Sequence, residues 1–346
     1  MKKKLLLAAM AAIMAIATAM AQQIAVVSEG GETTIHQTLQ AAIEGASPGS
    51  VIYLSGGGFT ISDDVKITKK LTIIGIGHRY DNDNVDGNTK ILGNVWFNEG
   101  SSGSAIMGCY ITGNVNIGEN DASVNYILVK FCNLNSVQVI NNTCTDILIN
   151  QNYIRSPALF NQSSAKISNN IIHSIYGVNN GIITNNLLRD YYAYDPNGVS
   201  QYATVHYVCI GANNSTISNN LIIPKDNKID DFYGPGYYKW MIFEGSENII
   251  SSNLLKLDLG IDPIIIQDVD WNDVFVNYNN GNIDPSSDFH LKDAYKQYEN
   301  VCGIYSGTGF NDHQIAPVPY IVAKRIAEET DAAGQLKIQV RVKAGE

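Results

Sequence analysis

Hydrophobic positions along this chain come in short pieces of three to five residues, rich in Ile, Val and Leu and separated by Asn, Gly and Ser. A helical i, i+3, i+4 pattern is missing, so the pieces predict short strands joined by tight turns. One piece recurs: Ile149-Asn150-Gln151-Asn152, Ile167-Ser168-Asn169-Asn170, Ile183-Thr184-Asn185-Asn186, Ile217-Ser218-Asn219-Asn220 and Ile250-Ser251-Ser252-Asn253. Each is an I-x-x-N followed by apolar residues. Upstream, "IMGCYI" and "LVKFCNL" fit the same frame, with Cys109 and Cys132 at the asparagine position. The steps between these positions are 23, 20, 18, 16, 34 and 33 residues. Self-similarity at such a period predicts an all-β solenoid, a coil of parallel β-structure.

Asparagine suits the bend of such a coil because it tolerates left-handed backbone angles, and its amide both donates and accepts hydrogen bonds. Stacked coils lie about 4.8 Å apart, so the same amide on successive coils can form a continuous ladder. Cysteine bonds weakly, and the ladder is expected to be poorer at Cys109 and Cys132. The two long steps predict that neighbouring coils each carry an insertion of about fifteen residues. These are "RDYYAYDPNGVSQYA" from Arg189 and "PKDNKIDDFYGPGYY" from Pro224, and both leave just after the same apolar pair. After Gly303 the repeat stops. Leu336, Ile338, Val340 and Val342 alternate with polar residues as a strand does. With 320–329 they predict a β-hairpin over the last coil's open edge, a short helix at 322–329 being the competing prediction.

Composition alters this picture mainly at the N-terminus. Three lysines precede an unbroken apolar stretch that ends in Ala19-Met20-Ala21. This reads as a secretory signal over 1–21, and the run is short for a transmembrane segment. The protein is then exported, to the periplasm, the outer-membrane surface or the medium. Without those lysines the formal charge falls from −10 to −13, twenty basic residues facing thirty-three acidic ones. Such a surface repels polyanions, so nucleic acid is excluded as a partner, and an acidic polysaccharide needs a local basic patch or a bridging divalent cation. The five cysteines are odd in number and lack a CxxC pair, which points to buried free thiols rather than disulfides or zinc.

Three further stretches carry a family resemblance: "TLQAAIEGASPGSVIYLSGGGFTI", "VKITKKLTIIGIGH" and "DVFVNYNNGNIDPSSDFHLKDAY". Together with the repeat they resemble the right-handed parallel β-helix superfamily, the pectin-lyase-like fold, over roughly 30–305. The third stretch is similar to the closing coil of secreted β-helix proteins of gut Bacteroidetes. The resemblance implies an amphipathic N-terminal capping helix with Leu39, Ala42 and Ile43 on one face. The organisation expected is a signal peptide over 1–21, a single-stranded right-handed parallel β-helix over 22–305 and a β extension over 306–346. The resemblance also implies that the two insertions wall a groove over the first sheet, the usual substrate position.

The insertions are rich in side chains suited to sugars. Eight of the 19 tyrosines lie between 190 and 240, with Trp240 beside them. Aromatic faces stack on sugar rings while hydroxyls bond to nearby carboxylates and amides. Arg189, Tyr191, Tyr192, Tyr194, Tyr207, Tyr233, Tyr237, Tyr238 and Trp240 are therefore the candidate substrate-binding residues, and a polysaccharide or other glycan the candidate partner. Aligning "VHYVCI" with "YKWMIF" stacks Tyr207 on Trp240 and His206 on Lys239. Two adjacent cations lower each other's pKa, which suits His206 and Lys239 to general-base work on a uronate. Asp230 and Asp231 offer acid and base for glycoside hydrolysis, or oxygen ligands for Ca²⁺; no cofactor is required. The G-H-G and R-I-K segments of polygalacturonases are absent. Three readings follow: a polysaccharide lyase or hydrolase, a glycan-binding protein, and a non-catalytic surface scaffold or adhesin. No sequence feature sets an oligomeric state.

Overall fold

The computed structural model describes residues 24–60, 64–78, 88–189, 210–223, 243–255, 264–265, 271–278, 287–312, 320–326, 335 and 338–343. The stretch read as a signal lies outside them. Among the described residues three long sheets of eleven, ten and eight strands dominate. Among the described residues each coil from Val51 to Glu244 contributes one strand to each sheet, and the pairings between successive coils are parallel. We number the sheets so that the chain passes from sheet 2 (eleven strands) through the asparagine turn to sheet 3 (ten), then to sheet 1 (eight) and on to the next coil.

Stacking follows from the strand pattern. In sheet 2 the middle residues Ile106, Val129, Ile149, Ile167, Ile183 and Ile217 are in register on successive coils. All six are fully buried in the main core. Each such side chain contributes about 1.5–3 kcal/mol relative to exposure. Slippage by one residue would turn the column outward, so the register is strongly specified.

At the N-terminal end the stacking changes sense. Ile24–Val27 pairs antiparallel with both Thr33–His36 and Val51–Leu54, so a hairpin continues sheet 2 beyond its first parallel strand. The helix Leu39–Gly45 follows, with the Thr38 hydroxyl accepting from the Ala41 amide at 3.2 Å. It buries Leu39, Ala42 and Ile43 in the main core, and no helix among the described residues is long and apolar enough to cross a membrane.

The doubled asparagine divides into two functions. Its first position is a left-handed turn: φ is 55° at Gln151, 54° at Asn169, 58° at Asn185, 59° at Asn219 and 53° at Ser252. The second position points inward, where Asn152, Asn170, Asn186, Asn220 and Asn253 are joined by amide-to-amide hydrogen bonds of 2.9–3.1 Å. Each of the first four also offers its backbone N–H to the next amide oxygen. Cys132 stands one coil earlier and donates its N–H to Asn152 Oδ1 at 2.9 Å. Its thiol instead approaches the Lys130 carbonyl at 3.2 Å. Cys109, Cys132, Cys144 and Cys302 are free and buried, and burial pushes the Cys132 and Cys302 thiols up to about 12.

A second column of polar side chains lies at the corner between sheets 3 and 1. Asn94 Nδ2 donates to Asp64, Asn114 accepts from Asn135, and Ser156 donates to Asn135. The Asn114 amide closes the series on Asn94 Oδ1 at 2.8 Å.

Beyond the coils the chain returns to the flank of the solenoid. Val274, Phe275, Phe289, Leu291, Cys302 and Ile304 form one buried cluster with Tyr153, Ile171, Leu187 and Leu221 of sheet 3. The turn residues fasten this strap. Asn169 Nδ2 donates to the carbonyls of Ile304 and Ser306, and Asn169 Oδ1 accepts from Thr308. Gln151 Oε1 takes the Asn311 amide, and Asn185 Oδ1 takes the Ser306 hydroxyl. Further on, Tyr320–Ile326 pairs antiparallel with Ile338–Lys343, a hairpin where the helical alternative had competed.

Candidate functional site

In an ordinary coil the corner between sheets 3 and 1 is short; only His173 and Ser174 separate Ile172 from Ile175. In two neighbouring coils it is replaced by 190–209 and 224–242. Their departure points are stacked, since Leu187, Leu188 and Arg189 pair with Leu221, Ile222 and Ile223. Their return points are stacked too, Ile210 on Phe243 and Gly211 on Glu244. Among the predicted site residues Arg189 ends a sheet 3 strand. Tyr191, Tyr192, Tyr194, His206, Tyr207, Asp230, Asp231, Tyr233, Tyr237, Tyr238, Lys239 and Trp240 lie outside the described residues.

The insertions return into sheet 1, and the outward residues of that sheet form one column. Pairing aligns Lys66, Trp96, Asn116, Gln138, Leu159, Tyr176, Gly211 and Glu244 on successive coils. Alternation sends their neighbours inward; Val65, Phe97, Val115, Ile117, Val137 and Ile175 are fully buried. Tyr176 lies close over Gly211, where a β-carbon would meet its ring at 3.2 Å.

The far end of the column is held by charge. Trp96 Nε1 donates to Asp64 Oδ2 at 2.8 Å, and Asp64 Oδ1 also accepts from Asn94 Nδ2. Lys66 pairs with Glu119 at 3.1 Å, and Asn98 Nδ2 donates to the same carboxylate at 2.7 Å. Asn116 is only 3% exposed, so this stretch of the column offers a ligand the Trp96 ring, fixed edge-on by a carboxylate, and the half-buried Gln138 amide, which can stack on a sugar and bond to its hydroxyls. Sequence reasoning passed over this column because it aligned the chain on the asparagine turn alone. The central residues of "VKI", "VWF", "VNI" and "VQV" are the signal that would have found it.

A second polar cluster sits on the strap. His290 Nδ1 meets Glu299 Oε1 at 2.7 Å, and Nε2 lies 3.4 Å from Asp312. The His290 ring stacks on Tyr305 with centroids 3.7 Å apart, and Tyr305 donates its hydroxyl to Asp312 at 2.7 Å. Burial drives the Glu299 carboxyl upward, but hydrogen bonds from Lys296, His290 and the Leu291 amide outweigh it and hold the group below the ordinary carboxylate range. Burial, then the neighbouring Asp312, push the Tyr305 phenol well above its usual value. Both ring nitrogens of His290 face carboxylates inside the cluster, so its chemistry is that of a clip holding the strap together. Among the described residues no group of three or more His, Cys, Asp or Glu is arranged to hold a metal ion.

Comparison with protein-family models, with curated proteins and with solved structures gives no match.

Proposed function

We propose that this chain is an exported right-handed parallel β-helix protein of the pectin-lyase-like kind that binds a polysaccharide in a groove over sheet 1, flanked by the two insertions. The observation that carries this reading is the paired register of the insertion anchors, Arg189 beside Ile223 and Ile210 beside Phe243. Two loops of similar length, both rich in tyrosine, thus leave and rejoin the coil side by side. Long loops on a rigid scaffold are disproportionately functional. The outward column with Trp96 and Tyr176 lies on the sheet to which both loops return.

Binding is the core of the proposal, and cleavage is an outcome its test separates. A panel of plant, mucin and bacterial polysaccharides, with and without Ca²⁺, is assayed for retardation in affinity gels, for reducing ends and for unsaturated products. Retardation alone identifies a binding protein, reducing ends a hydrolase working through Asp230 and Asp231, and unsaturated products a lyase working through His206 and Lys239. Substituting Tyr207, Trp240, His206 and Lys239 by alanine is expected to remove every positive signal. Signals that persist in that variant would place recognition elsewhere.

The scaffold or adhesin reading has one observation in its favour. On the outer face of sheet 2, Ile182 and Ile249 are 46% and 67% exposed and are aligned through Thr216. A panel with no retardation, combined with self-association lost on Ile249→Lys, would select it.

A further inference from the structure

The outer face of sheet 3 changes character along its length. From Tyr153 onward it is apolar and covered by the strap. The preceding coils present Lys90, Tyr110 and Asn133 in register instead. Arg155 reaches back across two coils to this column, its Nη1 donating to the Tyr110 hydroxyl at 2.6 Å and its Nη2 to the carbonyls of Ile111 and Thr112. The guanidinium lies 4.9 Å from the Tyr110 ring centre, and the Lys90 ammonium lies 5.9 Å from it. Across the turn, at the end of the sheet 2 strand Leu128–Lys130, Lys130 sits 4.5 Å from the ring centre of Phe131. Phe131 occupies the left-handed turn position at φ 53°, which Asn or Gln fills in the next coils, and a bulky residue there is strained.

Three cations therefore gather on aromatic rings, and among the described residues none of them forms an ion pair with a carboxylate. The chain as a whole carries a formal charge of −10. Asn133, 5% exposed within the same column, has an Oδ1 with no hydrogen-bond donor among the described residues. Aromatic contact weakens the hydration of a cation without neutralising it, leaving its charge available to an anion.

We infer that Lys90 and Arg155, on the Tyr110 ring of the uncovered half of sheet 3, and Lys130, across the turn at the end of the sheet 2 strand Leu128–Lys130, form a binding face for an acidic glycan, its carboxylate or sulfate groups meeting the three cations. The ligand class rests on the glycan reading above; the face does not, being separate from the groove over sheet 1. It is the local basic patch that an acidic chain needs in order to hold a polyanion.

The test measures binding of the full mature chain to immobilised polygalacturonate, heparin and neutral galactan at low and high salt, with calcium chelated. The parent is expected to bind both polyanions at low salt and to release them as salt screens the contact. Lys90→Gln/Lys130→Gln removes one exposed and one half-buried charge and should weaken polyanion binding about tenfold while leaving galactan unchanged. Adding Arg155→Gln should abolish it; Arg155→Lys, which keeps the charge, should retain most of it. Preference for polygalacturonate or for heparin tells carboxylate from sulfate. Unchanged polyanion affinity in the double variant overturns the inference. So does equal loss on galactan. Tyr207→Ala/Trp240→Ala separates the two sites: loss of all glycan binding there, with the lysine variant intact, sinks this face and keeps the groove, whereas the reverse keeps this face and sinks the groove.

Discussion

Asn186 is the strongest single test of the inner amide chain. Its Oδ1 accepts from both the backbone and the side-chain nitrogen of Asn170 at 3.0 Å, and its Nδ2 donates to Ile167, Thr184 and Asn220. Asn186→Ala leaves the Asn170 N–H fully buried with no acceptor and removes the other bonds together. An orphaned buried donor costs about 1–3 kcal/mol and each net bond about 1 kcal/mol, so the loss should be about 3–5 kcal/mol. The neighbour supplies the control. Asn185→Ala forfeits only the Ser306 hydroxyl bond and places alanine at φ 58°, for a cost of about 1–2 kcal/mol. Urea unfolding of both variants, followed by circular dichroism, gives the comparison, with midpoint and slope examined separately because repeat arrays need not unfold as one unit. Hydrogen exchange at the Asn170 amide should accelerate in Asn186→Ala and stay slow in Asn185→Ala. Equal destabilisation by the two substitutions, or full protection of the Asn170 amide in Asn186→Ala, would refute the division of labour within the doublet.

Asn169→Gly relaxes the left-handed turn yet removes three of the strap's side-chain bonds, so exchange across 287–312 should quicken while the melting temperature of the coil holds; a purely conformational role for Asn169 predicts the reverse. Gly245→Ala puts a β-carbon 1.8 Å from the Ala212 carbonyl oxygen at φ 110° and should cost about 2–4 kcal/mol by urea unfolding. The depressed Glu299 carboxyl contributes stability that is present above its unfolded value and lost as pH falls through its lower folded value. Protection of the Leu291 amide, bonded to Glu299 Oε1, should therefore persist below the ordinary glutamate range and fall only at more acid pH. In Glu299→Gln that acid step should disappear.

The coil was readable because its side chains repeat. Ile149, Ile167, Ile183 and Ile217 recur at a fixed distance from asparagine, and burial demands that they stack. The 34- and 33-residue steps located the insertions, and the hydrogen bonds from Asn186 to Asn220 and from Asn220 to Asn253 span those separations. The strap was not readable. It joins Ile304 and Ser306 to Asn169 across 135 and 137 residues, through carbonyls that carry no sequence signature. The outer apolar residues Tyr153, Ile171, Leu187 and Leu221 were visible as the second half of the repeat, but their cover was not. The column Asp64, Asn94, Asn114, Asn135 and Ser156 varies in residue type because each rung needs only a donor or an acceptor, so no single letter repeats.

The claim that matters most for function is that the two insertions act together on one glycan. Replacing 190–209, or 224–242, with a His-Ser pair copied from the corner at 173–174 restores an ordinary coil and leaves the other insertion in place. Affinity-gel retardation of each excised chain over the same polysaccharide panel, with circular dichroism confirming the coil, is the direct measurement. The account predicts that either excision alone abolishes retardation by the neutral polysaccharides the parent binds. Parent-level retardation in either excised chain would contradict it.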